Sequence, residues 1–260
     1  SHGGSDICAW LSTMPEIIPA FPQLLTIANW KQFIGEAIHS GVYSRSKTAL
    51  LLAEQVAKVF VPTKPYYEAQ EKLRKHHFVV LEGPPEMGKT TIGRMIAIAQ
   101  TALHWEAIEC RTPKELLNVL DADRSQVFIA DDFFGRGEYE PTRMSQWEGE
   151  LPFILEQLNK RHWLVLTSRA HILNIAKQQL DVSGENHRFP QMGEVVVNAG
   201  SLSEIEKGKI LYRHAKAASL PEEMRLHLRQ QAEHLVKNDH FTPLRIKNFI
   251  HALKGCSIST

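Results

Sequence analysis

The sequence predicts an α/β fold, with about five mostly parallel strands covered by helices on both faces, a helical segment before them and a helical subdomain after. Three observations carry this. Short apolar runs alternate with helical patterns between residues 78 and 199. From Ser201 onward the pattern changes to helices alone. In "VVLEGPPEMGKTTIGRM", Val79 to Met95, an apolar strand runs into two glycines bracketing four residues and then into a helical pattern.

Taken in order, residues 1–5 (SHGGS) are read as an expression scar and set aside. Residues 6–60 read as helical, broken early by Pro15, Pro19 and Pro22, with "SKTALLLAEQVAKVF" spacing its apolar residues as an amphipathic helix does. This segment carries no chemical motif and reads as a linker or a support. "VPTKPYYEAQEKLRKHH" then leads through a short helix to the first strand, Phe78 to Leu81. Four more strand candidates follow: "HWEAIEC" at 104–110, "QVFIAD" at 126–131, "HWLVLTS" at 162–168 and "EVVVNA" at 194–199. Residues 61–200 therefore read as the core. The helices "SEIEKGKILYRHAKAA", "PEEMRLHLRQQAEHLV" and "PLRIKNFIHALK" make residues 201–260 a separate small helical unit.

With 43% hydrophobic and 23% charged residues the chain has enough apolar material for a core, and disorder is excluded. A net charge of +1, with both signs interspersed, provides no global field that would draw the chain onto DNA or anionic lipid. Cys8, Cys110 and Cys256 are odd in number and widely spaced, which fits a reducing cytosol better than a disulfide framework or a zinc site. No run of eighteen apolar residues and no signal-peptide pattern is present, so the expectation is a cytoplasmic protein without a membrane partner.

Gly83-Pro84-Pro85-Glu86-Met87-Gly88-Lys89-Thr90 satisfies G-x-x-x-x-G-K-[ST] between a strand and a helix, the context expected of a phosphate-binding loop, or Walker A motif. The alternative, a Gly-Pro turn before an ordinary helix, is disfavoured by the match and its strand–helix context together. The chemistry needs these residue types. Backbone N–H groups wrap the phosphates, glycines permit close approach, Lys89 places a point charge between the outer phosphates, and Thr90 offers a hydroxyl to Mg²⁺. The N-terminus of the Thr90 to Ala99 helix, with Thr91 in its first turn among the binding candidates, adds its dipole.

"VFIADDFFG" supplies a Walker B-like strand end: Asp131 is assigned to the Mg²⁺ shell, and Asp132 to positioning the attacking water or accepting its proton. Alone, the pair would read as a solvated acidic turn. "WLVLTSR" ends a third strand in Thr167, Ser168 and Arg169, and strand carboxyl ends face the ligand crevice of a parallel sheet. Arg169 could then reach a terminal phosphate. The alternative is that Thr167 or Ser168 merely caps the next helix.

These motifs, followed by a helical segment, resemble the STAND class of NTPases, relatives of the AAA+, NB-ARC and NACHT ATPases. "FVPTKPYYEA", "HHFVVLEGPPEMGKT", "FIADDFFG", "RHWLVLTSR", "RFP" at Arg188 to Pro190, "EKGKILYRHA" and "HFTPLRIKNFI" resemble more narrowly the third "novel STAND" family, over about residues 60–252. The resemblance implies an ATP/ADP-binding, Mg²⁺-dependent switch. Such switches belong to long bacterial proteins that join an effector, often a nuclease, to a sensor, and act in anti-phage defence by ATP-dependent oligomerisation. It also implies that the helical unit is a lid bringing a proline near the adenine, which makes Pro243 a candidate; a plain helix-start proline is the alternative. Adenine over guanine rests on the resemblance alone.

Neither residues 6–60 nor those after 252 hold a complete nuclease, a sensor array or the usual winged-helix domain. The expectation is a fragment of a larger protein, slow in isolation because an arginine would come from a neighbouring subunit. Arg136, Arg143 and Arg161 read as surface charges, and His240 and Arg245 are weaker site candidates than Pro243. The competing readings are a DNA-associated ATPase, for which "KLRKHH" at Lys72 to His77 is the best basic cluster, a small-molecule kinase, and a pocket that binds nucleotide without hydrolysing it. Any nucleic-acid contact would come through the full-length protein.

Overall fold

A computed structural model describes residues 13–22, 24, 56–135, 140–180 and 192–255. Most of residues 6–60, including Cys8 and most of "SKTALLLAEQVAKVF", and also Arg136, "RFP" and Cys256, lie outside the described residues.

A 3-10 turn at Pro15–Ile17 comes first, then helix α1 (Lys64–His76), strand β1 (Phe78–Glu82), α2 (Lys89–Thr101), β2 (Glu106–Glu109), α3 (Pro113–Val119) and β3 (Gln126–Ala130). The chain continues through α4 (Pro141–Gln157), β4 (His162–Ser168), α5 (Ala170–Leu180), α6 (Met192–Val195) and β5 (Val196–Asn198). It closes with α7 (Glu204–Ala218), α8 (Glu222–Lys237) and α9 (Pro243–Gly255).

The five strands form one sheet in the order β2-β3-β4-β1-β5, and every pairing within it is parallel. The strands alternate as a doubly covered sheet requires. Val79, Leu81, Val127, Ile129, Trp163 and Val165 pack into one layer with α1 and α2. Phe78, Val80, Phe128, Ala130, Leu164 and Leu166 pack into the opposite layer with Trp147 and Ile154 of α4. A third cluster joins α7, α8 and α9 around Ile210, Leu228, Ile246 and Ile250, and reaches Val61 just before α1.

Two expectations shift. "EVVVNA" is strand only from Val196, because Glu194 and Val195 close the helical turn of α6 before Val196 pairs with Val80. β2 is shorter than its apolar run, since His104 turns the chain with a φ of 62° and pairing begins at Glu106.

Local chemistry fixes the ends of these elements. Ser203 and Glu206 form a reciprocal capping box at the start of α7. Glu206 also accepts from the Lys64 N–H at 2.6 Å, tying α7 to the start of α1. Burial opposes ionisation of Glu206, but the N–H donors of Lys64 and Ser203, together with the Ser203 hydroxyl, hold its carboxyl below the usual range. Upstream, the Pro19 carbonyl accepts from Tyr66 at 2.9 Å and Gln70 at 2.6 Å, which seats the fully buried Ile18 against α1.

Gly200, after β5, is where the sheet touches the glycine loop. A Cβ there would lie 2.9 Å from Cδ of Pro84 and 3.1 Å from the Asn198 side-chain oxygen. Gly200→Ala is therefore expected to lower stability by about 1–3 kcal/mol through overpacking, read from the midpoint of urea unfolding.

Candidate functional site

The glycine loop joins the carboxyl end of β1 to the amino end of α2. Gly83 has a φ of 147° and Gly88 a φ of 86°, and a Cβ on Gly83 would come within 3.1 Å of the Gly200 nitrogen. Both positions favour glycine, because an L side chain is strained at either φ and one at Gly83 would also crowd the Gly200 nitrogen. The turn leaves the first N–H groups of α2 facing the cleft, the arrangement that receives an anion.

Lys89 is only 7% exposed, and its Nζ donates to the carbonyls of Gly83 at 2.9 Å and Pro84 at 2.7 Å. The ammonium is thus held over the loop. Burial pushes its pKa down; Asp132 resists this, Arg169 adds to it and Asp131 resists it.

Asp131 and Asp132 lie in the turn that ends β3. One Asp131 oxygen accepts from the Thr90 hydroxyl at 2.7 Å and from the Thr167 hydroxyl at 2.6 Å. The Thr167 hydroxyl in turn accepts from the Asp132 N–H at 2.9 Å. One threonine from β4 therefore orients both aspartates, and its hydroxyl is occupied there instead of capping α5. The Ser168 hydroxyl donates to the Arg169 carbonyl at 3.3 Å, and it is Arg169 that stands immediately before α5. Asp132 takes a left-handed φ of 48°, which for a non-glycine residue costs about 1–2 kcal/mol.

Asp131 with Thr90 is a hard-oxygen pair at the loop's mouth. That donor chemistry suits Mg²⁺, which is held by few protein oxygens and completes its shell with waters and phosphate oxygens. Among the described residues no cluster of three or more His, Cys, Asp or Glu could hold a metal by itself.

The loop opens into a cleft of about 650 Å³. Pro85 to Ile92, Asp132 and Arg169 line it from the loop and the ends of β3 and β4. Val59, Phe60 and Ile210 supply apolar lining from outside the sheet, joined by His214, Pro243, Leu244 and Lys247. Apart from Pro243, the residues of this second group escaped the sequence reading. Val59 and Phe60 read as helix-face core residues, and Ile210 and His214 as one more i,i+4 pair on a lid helix. Their spacing contains no trace of the cleft, which forms only when α7 and α9 fold over residues 59–61.

The remaining arginines divide. Arg161 donates to the carbonyls of Ala122 at 2.8 Å and Asp123 at 3.4 Å, beyond the amino end of the sheet. Arg143 pairs with Glu140 at 2.9 Å, and it also donates to the Asp132 carbonyl at 3.3 Å, closer to the site than a surface charge would be.

His214 carries a pH signature. Burial lowers its pKa below the ordinary 6.5, and nearby Lys247 lowers it further. As pH falls through about 6.5 the unfolded chain takes up a proton that the folded one resists, so stability declines on acidification. The wild-type melting temperature is expected to fall more steeply between about pH 7 and about pH 5 than that of His214→Gln, measured by thermal unfolding.

A parallel sheet with a phosphate-type loop after β1 and paired aspartates after β3 defines a P-loop NTPase. The Novel STAND NTPase 3 family model matches residues 60–217, and the chain belongs to that family. The match ends within α7, so "HFTPLRIKNFI" with Pro243 lies beyond it.

No curated protein matches the chain. Among solved structures it is similar to domain III of the Thermotoga maritima replication initiation protein DnaA, at 17% identity and a TM-score of 0.47, over 74% of this chain and 83% of that one. C. elegans PCH-2 is 10% identical with a TM-score of 0.42, over 75% and 61% of the two chains. The FIGL-1 AAA domain in complex with ADP is 13% identical with a TM-score of 0.47, over 83% and 72%. No described helix is long and apolar enough to cross a membrane.

Proposed function

We propose that the chain binds and slowly hydrolyses ATP with Mg²⁺, and serves as the switch module of a larger bacterial signalling or anti-phage defence protein. The observation that supports the hydrolytic reading is the Thr90–Asp131–Thr167 network, in which one Asp131 oxygen accepts from two hydroxyls and the Asp132 N–H donates to the Thr167 hydroxyl, with both aspartates acting on the Lys89 ammonium.

In this reading Gly83 to Thr91 cradle the phosphates, Thr90 and Asp131 hold Mg²⁺, and Asp132 orients the attacking water and receives its proton. Bound Mg²⁺ would neutralise charge on the phosphate oxygens. Arg169, which lines the cleft with Lys89 and Asp132, is the residue that would meet the terminal phosphate. Pro243, with the apolar residues around it, covers the base. Residues 61–200 act as the NTPase core and 201–260 as its lid. Effector and sensor lie outside this chain, activation proceeds by self-association, and the protein works in the cytoplasm.

The DNA-associated alternative is weaker. Lys72 donates to the Glu194 carbonyl and Arg74 to Gln70 at 3.2 Å, so two cations of "KLRKHH" are engaged within the fold.

The test is to denature the purified protein and identify released nucleotide by chromatography, then to follow phosphate release from ATP and GTP with and without Mg²⁺. Released ADP or ATP, with metal-dependent ATP turnover, is the expected result. A protein that arrives empty and binds no added MgATP would overturn the reading.

A further inference from the structure

Glu86 sits in the middle of the glycine loop with a φ of 67°, a left-handed conformation that favours glycine. A glutamate there is costly twice over, since its backbone is strained and its charge repels any anion entering the loop. What offsets the cost lies on α9. Glu86 Oε2 accepts from the Thr242 hydroxyl at 3.1 Å, and Arg245 Nε lies 3.3 Å from the same oxygen. The Thr242 hydroxyl also accepts from the Arg245 N–H at 3.2 Å, so the carboxylate is seated at the amino end of a 13-residue helix. There the helix dipole and the guanidinium both favour a negative charge. The next residues of α9, Pro243 and Leu244, line the cleft.

We propose that Glu86 is a positioning residue that latches the lid to the phosphate loop. By pairing with Thr242 and Arg245 it holds the start of α9 over the cleft, and Arg245 cancels the charge that would otherwise repel the nucleotide. The inference rests on the nucleotide reading of this cleft. It couples a phosphate-side residue to the covering of the base side, and so makes affinity depend on an ion pair that the nucleotide need not touch. The Arg245 side chain is 59% exposed and that of Glu86 37%, so the pair is partly screened and its effect is modest.

The test is a double-mutant cycle on binding of a fluorescent ADP analogue, with Glu86→Gln, Arg245→Gln and their combination, at low and high salt. Each single variant is expected to weaken binding about 2- to 5-fold, Arg245→Gln the more because it leaves the Glu86 charge uncancelled, the combination no further than Glu86→Gln alone, and the difference from wild type to shrink in high salt. Glu86→Gly separates positioning from folding. It relieves the backbone strain and is expected to keep or raise the melting temperature while weakening binding as Glu86→Gln does. Additive losses in the cycle, or unchanged binding by Arg245→Gln, would overturn the latch. Lys89→Ala serves as the reference variant, because undiminished binding there would overturn the nucleotide reading itself.

Discussion

Lys89→Ala is expected to abolish detectable ATP and ADP binding, a loss of more than about 100-fold, corresponding to about 3 kcal/mol or more. Lys89 Nζ is buried and held by the Gly83 and Pro84 carbonyls, at the point where the loop, α2 and the aspartates converge. Alanine would remove the positive charge nearest the expected phosphate positions and leave both carbonyls without that donor. The loop is also held by Gly83 against Gly200 and by the Gly88 turn, so the fold should survive. Isothermal titration with ATP, beside a circular-dichroism melt, checks both points. A folded variant that binds ATP like the parent would sink the assignment of Lys89.

Asp132→Ala is expected to retain ATP and to lower the hydrolytic rate by about 100-fold or more, the usual contribution of a positioned general base. The orientation comes from the main chain, since the Asp132 N–H donates to Thr167 and φ is 48°. Alanine tolerates that φ poorly, so Asp132→Asn is the cleaner companion, keeping shape and left-handed tolerance while losing basicity. Single-turnover phosphate release, with ATP binding measured separately, tests the role. Hydrolysis at the parental rate in both variants would place water activation elsewhere.

Legibility in the sequence followed the range of the interaction. Strand β4 could be placed at 162–168 from its apolar run, and α7, α8 and α9 fall within a residue or so of their amphipathic patterns. The short edge strands were drawn too long, since an apolar residue in a turn of helix, such as Val195, looks the same as one in a strand. Thr167 could be named as a polar strand tip, but its choice between capping α5 and orienting Asp131 depends on a carboxylate 36 residues earlier. The pairing of Glu86 with Thr242 spans 156 residues, and no local pattern signals it.

By itself the sequence determined the α/β class, the phosphate-type loop, the paired aspartates and the C-terminal helices, because each depends on residues near one another in the chain, and its separated blocks together pointed to the family. Tertiary structure alone decided three matters. It set the strand order β2-β3-β4-β1-β5, with β4 beside β1. It turned Thr167 toward the aspartates, and it brought Phe60, Ile210 and His214 to the lining of the cleft. The physical reason is common to all three: parallel pairing and the packing of the C-terminal helices bring together groups from separate elements, and their energy lies in packing and hydrogen bonds that exist only after the chain has folded.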